Sequence, residues 1–265
     1  MHCKICNRES EKRFSAKILG KHDIGYYYCS HCGFLQTEEP YWLEEAYADS
    51  INITDTGIME RNIALRNKVL PILFYLFDPK KRFLDFAGGY GIFTRLMRDA
   101  GLDFLWMDKF SKNLVARGFE YNGEPIEAIT AFETFEHFVT PMEEIEQMLS
   151  ISDTIIFSTD LLPDPVPEPE AWWYYGLEHG QHIAFYAPKT LRFIADHYKL
   201  NLYSHKNLHI LTRRQCDPNI LELFFYNKKG RILKYKKERM LKKMKSSLRS
   251  KTADDMQKLI ERVMP

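Results

Sequence analysis

Short apolar runs alternate with turns and helical stretches along this chain. The clearest run is Phe83–Phe86, followed by the glycine-rich segment Ala87–Ile92 and a helical stretch, Phe93–Ala100. A second apolar run, Phe104–Met107, ends at an acidic residue, Asp108. Strand, glycine turn, helix and second strand are the order of a βαβ unit. The pattern therefore predicts an α/β domain.

The same alternation continues on both sides of this unit. A helical period runs from Ile58 to Phe77, and Pro71 inside it is expected to kink or split the helix. A helix is also predicted over Pro188–Tyr198, and two more follow, in the basic stretch from Lys228 and from Thr252 to Arg262. Further strands are predicted in four apolar runs: Ile126–Phe132, Thr154–Thr159, Leu200–Thr212 and Ile220–Tyr226.

The glycine-rich segment is a candidate ligand site. Glycine adopts backbone angles closed to other residues and lets a ligand approach the main chain closely. An acid after the second strand, here Asp108, can accept both hydroxyls of a ribose. We therefore expect an adenosine-containing cofactor, the alternative being an ordinary strand–turn–helix. The spacing of Gly88, Gly89 and Gly91 does not match the G-x-G-x-x-G fingerprint of nicotinamide cofactors.

Composition is that of an ordinary globular protein, with 45% hydrophobic and 28% charged residues and a net charge of +1. The charge is uneven, because twelve Lys or Arg and one acid lie between Lys228 and Lys251. That stretch carries +11, which leaves −10 for the remainder. No run is long and apolar enough to predict a membrane span, and the N-terminus lacks an apolar signal region. A cytoplasmic location is expected.

Four of the five cysteines form two CxxC pairs, with 22 residues between the pairs. Two such hairpins place four thiolates at the corners of a tetrahedron, the geometry of structural zinc. Disulfides are the rival interpretation, which the missing signal region disfavours. We predict a zinc-ribbon domain over residues 1–40, whose metal ligands are Cys3, Cys6, Cys29 and Cys32.

With these segments in view, the chain resembles class I S-adenosylmethionine-dependent methyltransferases from about Arg61 to Leu202. The Asp85-x-Ala-Gly-Gly-x-Gly segment matches that family's first motif, with Ala87 as the mildest replacement of a usual glycine. The resemblance implies a Rossmann-like, seven-stranded sheet over residues 41–227 and a basic helical extension over 228–265. It also implies S-adenosylmethionine as cofactor, with Asp85 supporting the loop and Asp108 on the ribose. The other cofactor contacts that it implies are Gly88, Gly89, Gly91, Lys109 or Phe110, and Phe132.

Glu133 follows Asp108 by only 25 positions, which is short for a third strand and its helix. The adenine contact therefore stays unassigned. After the next strand comes Glu133-x-x-Glu136-His137, a pattern that resembles the metal-supporting ExxEH of ubiquinone-pathway and small-RNA methyltransferases. Thr140-Pro141 stands where those enzymes add a histidine. A structural role for His137 is therefore favoured over a magnesium ligand.

His179 and His182 are the best candidates for a general base, because an imidazole suits proton removal near neutral pH. They follow a proline-rich segment, Asp160–Glu170, and the aromatic stretch Trp172–Tyr175, some of which is expected to wall an acceptor pocket. Gln181-His182 before Tyr186 resembles the catalytic segment of zinc-containing sugar C-methyltransferases, which have Glu-His there. Both histidines could instead be packing residues.

The sequence thus predicts a methyltransferase that acts on a small acceptor, most plausibly a sugar or nucleotide-sugar hydroxyl. Its catalytic residues would be His182 or His179, with Glu133 or Glu136 orienting the acceptor and His137 nearby. The alternatives are C-methylation of a sugar, and a zinc-ribbon nucleic-acid-binding protein whose Rossmann-like domain is not catalytic. The small acceptor is preferred because residues 1–40 are not markedly basic. The oligomeric state stays open.

Overall fold

The computed structural model describes residues 1–48 and 55–264. Ten strands lie within these ranges, and they fall into two sheets. The strands are β1 Glu11–Ile18, β2 His22–Tyr28, β3 Leu35–Thr37, β4 Arg82–Phe86, β5 Asp103–Met107, β6 Ala128–Ala131, β7 Thr154–Ser158, β8 Ala184–Phe185, β9 Asn201–His205 and β10 Leu208–Thr212.

Eight α-helices accompany the strands within the described ranges, together with short 3₁₀ turns at Phe135–His137, Pro169–Ala171 and Trp173–Tyr175. The helices are α1 Leu43–Ala46, α2 Ile58–Leu76, α3 Ile92–Asp99, α4 Pro141–Ile151, α5 Pro188–Tyr198, α6 Pro218–Ile220, α7 Arg231–Ser247 and α8 Thr252–Val263. The predicted α5 is confirmed, and α2 runs through Pro71 as one helix rather than two.

The larger sheet has six strands, in the order β5-β4-β6-β7-β10-β9, so the expectation of seven strands was wrong. Strands β5 and β6 are parallel to β4, whereas β10 pairs antiparallel with β7 and β9. The run Ile220–Tyr226, predicted as a strand, instead continues α6 as a π-helical turn over Leu221–Phe225. This turn packs against α2, with Phe224 stacked on Tyr75 at 5.4 Å between ring centroids.

The short span after Asp108 also explains the missing strand. Beside β5, the chain forms one isolated parallel bridge, between Trp106 and Glu120. Its two hydrogen bonds run from Trp106 N to Phe119 O and from Tyr121 N to Trp106 O, at 2.8 and 2.9 Å. Too few residues remain before β6 for a full strand and a crossover helix.

The chain forms two compact units. The first comprises Met1–Thr54, Ala131–Ser150 and Thr154–Arg214. It holds the smaller sheet, ordered β1-β2-β3-β8, and the antiparallel strands β7, β10 and β9. Its core includes Tyr26, Phe34 and Tyr186, all fully buried.

The second unit comprises Asp55–Thr130, Ile151–Asp153 and Gln215–Pro265. Strands β4 and β5 are its parallel centre, and α3 packs on them through Phe93, which contacts Phe104 at 5.7 Å between ring centroids. Helix α8 is attached to α3 by Arg98 and Asp255, which are 1% and 2% exposed. The fold of this unit places the glycine-rich segment between β4 and α3.

Candidate active site

The glycine-rich loop of the second unit contains three glycines of the motif. Two of them have close neighbours where a side chain would stand, and the third has open space there. A Cβ at Gly88 would lie 2.8 Å from both Asp85 Oδ2 and Trp106 Cδ1, and a Cβ at Gly91 would lie 2.8 Å from Asn113 Oδ1. Gly89 has φ +53, and a Cβ there would meet no atom within 4 Å. Two glycines are therefore required by packing, whereas Gly89 presents bare main chain to open space.

Two acidic side chains hold this loop. Asp85 lies buried beneath it and accepts hydrogen bonds from Thr94 Oγ1 at 2.9 Å and Thr130 Oγ1 at 3.2 Å. Burial raises the pKa of Asp85 to about 7, although both threonines oppose the shift. Asp108 accepts a hydrogen bond from Gly89 N at 2.9 Å through Oδ2, while its Oδ1 accepts from the backbone of Phe110. The carboxylate of Asp108 thus lies against the open glycine.

The two residues expected beside the adenine follow Asp108 directly. Phe110 is 88% exposed, which is unusual for a phenylalanine and leaves its ring face available to a flat ligand. Lys109 precedes it on the same exposed turn. Phe132 follows β6 in the first unit and is partly buried.

Two residues other than glycine near the predicted site adopt left-handed backbone angles. Ala87 has φ +54 and Glu133 has φ +51. An L-residue pays about 1–2 kcal/mol for this conformation. Ala87 stands where glycine is usual in the motif, so its replacement of glycine carries a conformational cost.

We expect Ala87→Gly to stabilise the protein by about 0.5–1 kcal/mol, because glycine removes the left-handed strain but adds entropy to the unfolded chain. The matched control is Ala253→Gly in the exposed first turn of α8, which should destabilise by a similar amount. Urea unfolding measures both. Equal destabilisation by the two changes would contradict the strain at Ala87.

The first unit gathers a second set of predicted residues. A carboxylate oxygen of Glu136 and one ring nitrogen each of His137 and His182 lie within 4.8 Å of one another. The rings of His137 and His182 are 5.0 Å apart between centroids, and those of His179 and His182 are 4.7 Å apart. Four of the five predicted catalytic residues therefore form one cluster, which we call the histidine cluster: Glu136, His137, His179 and His182.

The fifth, Glu133, makes different contacts. Its backbone N–H donates to Ser158 Oγ at 2.8 Å, and its Oε1 accepts from the same hydroxyl at 2.7 Å. Ser158 ends β7, so this pair fixes the end of the neighbouring strand segment. Glu133 is not among the three close donor groups, and the set Glu133, Glu136 and His137 considered for magnesium is not the set that the structure brings together.

Hydrogen bonds decide which nitrogen of each imidazole carries the proton. His182 Nδ1 lies 2.6 Å from the carbonyl oxygen of Tyr174, and His137 Nδ1 lies 3.0 Å from that of Gln181. A carbonyl only accepts, so Nδ1 donates in both rings and Nε2 keeps its lone pair. His179 is the reverse, since Gln181 N donates to its Nδ1 at 3.0 Å. Of the two base candidates, His182 is therefore the one with an available Nε2 lone pair.

Burial sets the charges of the cluster. It lowers the pKa of His137 to about 4 and that of His182 well below its usual value, so both rings are neutral at pH 7. Burial, together with the nearby charge of Glu133, raises the pKa of Glu136 well above its ordinary range, although Tyr174 opposes the shift. Within the described residues, neither carboxylate oxygen of Glu136 has a hydrogen-bond partner. A buried carboxyl group in this situation is suited to bind a ligand.

The aromatic stretch before the cluster is buried in part and exposed in part. Tyr174 and Tyr175 are buried, whereas Trp173 is 74% exposed. Tyr174 contacts the His182 ring at 4.7 Å between centroids and supplies the carbonyl that orients it. Trp173 is thus the member of this stretch that offers a free ring surface.

One residue beside the cluster lies outside the catalytic set predicted from the sequence. The hydroxyl oxygen of Tyr47 lies 2.8 Å from His137 Nδ1 and accepts a hydrogen bond from it, although the two residues are 90 positions apart. Burial raises the pKa of Tyr47, so its hydroxyl stays protonated. Its sequence signal is the aromatic-rich connection that begins at Pro40 and precedes β4.

The four N-terminal cysteines also lie together, with all Sγ atoms within 4.8 Å of one another. Cys3 and Cys32 are 3.5 Å apart, as are Cys6 and Cys29. The two CxxC turns are built alike. The backbone N–H that follows each pair, at Asn7 and at Gly33, donates back to the carbonyl of the first cysteine at 2.9 and 2.8 Å, and both residues have positive φ.

This geometry fits zinc. A tetrahedral ion with bonds of about 2.3 Å to sulfur separates its ligands by slightly less than about 4 Å. The closeness of the thiols also changes their pKa values. The hydrogen bond between Cys3 and Cys32 lowers the pKa of Cys3 to about 5 and raises the pKa of Cys32. Four sulfurs this close and largely buried are the donor set of a closed structural site.

Comparison with known proteins identifies the family. A family described as methyltransferase domain matches residues 59–205, which is more than half of the chain. The chain therefore belongs to this methyltransferase-domain family. The match covers the glycine-rich loop, both acids that hold it and the histidine cluster. Among curated proteins, none matches the chain.

Several solved structures are similar in part. The O-methyltransferase family 2 protein of Planctomyces limnophilus, in complex with apigenin, is 13% identical, with a TM-score of 0.40 over 61% of this chain and 62% of that one. Human N-acetylserotonin methyltransferase, in complex with SAM, is 12% identical, with a TM-score of 0.45 over 60% and 55%. Magnesium protoporphyrin IX methyltransferase of Synechocystis, with bound SAM, is 15% identical, with a TM-score of 0.38 over 64% and 87%.

The chain spans 62% and 55% of the first two of these structures, and at such TM-scores no conclusion about the acceptor follows from them. Within the described residues, no helix has the length and apolar character needed to cross a membrane.

Proposed function

We propose that this enzyme transfers a methyl group from S-adenosylmethionine to a hydroxyl of a small, sugar-like acceptor. The observation that carries the proposal is the histidine cluster, in which His182 is neutral, oriented by a main-chain carbonyl, and keeps its Nε2 lone pair. A hydroxyl must lose its proton as it attacks a methyl group, and a neutral oriented imidazole is suited to take it.

The glycine-rich loop is our candidate for the cofactor site. Gly89 presents bare main chain, and Asp108 lies beside it to accept the ribose hydroxyls. Asp85 lies beneath the loop, close to Gly88, and the exposed ring of Phe110 can contact the adenine. When bound, S-adenosylmethionine supplies an electrophilic methyl group on a positively charged sulfur.

In the proposed reaction, the acceptor oxygen forms a bond to the methyl carbon as its proton passes to His182 Nε2. S-adenosylmethionine held at the glycine-rich loop would supply the methyl group, and its sulfur would keep the electron pair of the bond that breaks. Glu136 lies next to His182, forms a hydrogen bond with the substrate and thereby fixes the orientation of the substrate. Positioning of the two reactants supplies much of the rate enhancement.

One observation favours an oxygen over a carbon as the methylated atom, and a second favours a sugar as the acceptor. Gln181 replaces the glutamate of the resembling C-methyltransferases, and its side-chain amide donates to Ala46 O at 2.7 Å. It therefore has a structural task and no carboxylate to remove a proton from carbon. Exposed Trp173 supplies the flat apolar face on which sugars stack.

A metal-assisted variant of the same reaction has one observation in its favour. The donors of Glu136, His137 and His182 would also suit a divalent ion, with both Nδ1 atoms held by carbonyls as in metal sites. The base mechanism predicts that turnover is unchanged by EDTA and by added magnesium or manganese. Loss on chelation and recovery with one of these ions would establish the metal-assisted route instead.

The cysteine cluster is proposed to hold a structural zinc ion. We expect about one zinc per chain in the wild type and in Cys216→Ser, a matched change at the fifth cysteine, and almost none in Cys32→Ser. Elemental analysis of the purified variants gives this number. Equal zinc in Cys32→Ser and the wild type would contradict the assignment.

The acceptor is tested with methyl-labelled S-adenosylmethionine and three acceptor pools: nucleotide sugars, free sugars and RNA. We expect label on a sugar oxygen, which fragmentation in mass spectrometry distinguishes from label on carbon, because an O-methyl group leaves as labelled methanol and a C-methyl group does not. Label on a sugar carbon would support the C-methyltransferase alternative. Label on RNA alone would overturn the small-molecule assignment.

A further inference from the structure

The C-terminal helix α7 carries a concentration of positive charge that methyl transfer does not use. Of its 17 residues, Arg231–Ser247, eight are Lys or Arg and one is acidic, Glu238. Lys228 and Lys229 precede the helix, and Arg249 and Lys251 follow it. The charge of this stretch is opposite in sign to that of the remaining chain, so it is local to one element.

One side of α7 is attached to the second unit. Met244 is buried, Tyr75 donates to the carbonyl of Met240 at 2.6 Å, and Lys237 lies over the ring of Phe224 at 5.7 Å. These contacts repeat at intervals of three to four residues, which defines the attached side of the helix. The opposite side is exposed, and we call it the basic face: Ile232, Tyr235, Lys236, Arg239, Lys242 and Lys243.

Among the described residues, no carboxylate neutralises the cations of the basic face. Within the described part of the chain, Lys236, Arg239, Lys242 and Lys243 form no ion pair with a carboxylate. Arg239 and Lys243 are four positions apart, and like charges at that spacing destabilise a helix. An anionic surface docked on this face would relieve the repulsion.

Two apolar side chains identify the kind of surface. Ile232 is 82% exposed and Tyr235 is 69% exposed, one turn apart at the N-terminal end of the basic face. Contacts with the phosphate backbone of a nucleic acid come from charged and polar groups, so they leave an exposed isoleucine in water. The boundary between lipid headgroups and acyl chains accepts an aliphatic side chain and a tyrosine while the headgroups attract the cations.

We propose that the basic face of α7 docks the enzyme on an anionic phospholipid surface. Ile232 and Tyr235 enter the interface, and the lysines and arginine contact the headgroup phosphates. The association is peripheral and reversible. It does not depend on the identity of the acceptor, so its test is separate from that of the proposed function.

Flotation of the full chain with phospholipid vesicles tests the proposal. We expect binding to vesicles of phosphatidylcholine mixed with phosphatidylglycerol, and none to pure phosphatidylcholine. Lys236→Gln with Lys243→Gln should weaken binding about 30-fold, because each cation near the surface contributes a factor of about five. The matched control, Lys12→Gln with Lys80→Gln, removes the same charge from exposed positions outside α7 and should bind like the wild type.

Ile232→Ser separates lipid docking from general attraction to polyanions. It should weaken vesicle binding about 10-fold without changing the charge, because the isoleucine side chain no longer leaves water. Circular dichroism checks that each variant keeps its helices. Absence of binding to the mixed vesicles would overturn the proposal. So would vesicle binding that is unchanged in Ile232→Ser, particularly if a single-stranded RNA oligomer binds more tightly than the vesicles.

Discussion

His182→Ala is expected to lower kcat by a factor of about 10² to 10⁴, the range that a positioned general base contributes. The affinity for S-adenosylhomocysteine should stay unchanged, because the cofactor loop is built from other residues. His179→Ala is the matched control, since the Nδ1 lone pair of His179 already accepts a hydrogen bond from Gln181 N. Its effect on kcat should be much smaller. Single-turnover methyl transfer and calorimetry measure the two quantities.

The pH dependence of the methyl-transfer rate is a second test of the role of His182. His182 must be neutral to take a proton, and burial lowers its pKa well below the ordinary value. The rate should therefore hold as pH falls through about 6.5, the usual pKa of histidine, and decline only at lower pH. A wild-type rate in His182→Ala, or an acid decline centred near the ordinary histidine pKa, would remove His182 from the mechanism.

Asp255→Asn is expected to destabilise the protein by about 3–5 kcal/mol, because it removes the buried counter-charge of the Arg98 guanidinium and leaves only the partly exposed Asp103. Arg98 donates to both carboxylate oxygens of Asp255, at 2.8 and 2.7 Å, and its side chain also bonds Asp103 and lies over the Phe119 ring at 3.7 Å. Asp254→Asn, on the neighbouring exposed position, should change stability by less than about 0.5 kcal/mol.

Acid should act in the same direction as the substitution. Burial alone would raise the pKa of Asp255, but Arg98 and Arg95 outweigh it and the pKa is lowered. A carboxyl whose folded pKa is depressed contributes stability above its unfolded pKa, about 3.9, and loses it as pH falls through the folded value. Urea unfolding at pH 7 and below pH of about 4 measures the difference between wild type and Asp255→Asn. That difference should shrink in acid, and a constant difference would contradict the ion-pair account.

Local patterns predicted much of the fold. The run Phe83–Phe86, the glycine turn and the helix after it needed only near neighbours in sequence, and they occur as β4, the loop and α3. The two CxxC turns could be predicted for the same reason, since each turn is closed by a hydrogen bond within five residues. The run Leu221–Phe225 could not be decided locally. Its apolar residues suit a strand, but packing against α2 makes them helical.

The histidine cluster shows where sequence reasoning stops. The residue types and the choice of His182 over His179 as first candidate came from motif and chemistry. The tautomers depend on main-chain carbonyls, such as that of Tyr174 eight positions from His182, and on Tyr47, which is 90 positions from His137. Neither of these contacts follows from the hydrophobic periodicity of the sequence. The glycine loop is similar, because Gly88 and Gly91 are distinguished from Gly89 only by what surrounds them.

The central claim is that the loop from Asp85 to Gly91 holds S-adenosylmethionine at Gly89. The most direct measurement is calorimetric titration of S-adenosylhomocysteine, and of NAD as comparison, into wild type, Gly89→Ala and Gly20→Ala. Gly20 is the matched control, because it also has a positive φ, +70, and no atom within 4 Å of an added Cβ. The account predicts binding of S-adenosylhomocysteine but not NAD, weakened at least about 10-fold by Gly89→Ala alone, where the new methyl group occupies cofactor space. Undiminished binding by Gly89→Ala, or wild-type preference for NAD, would contradict it.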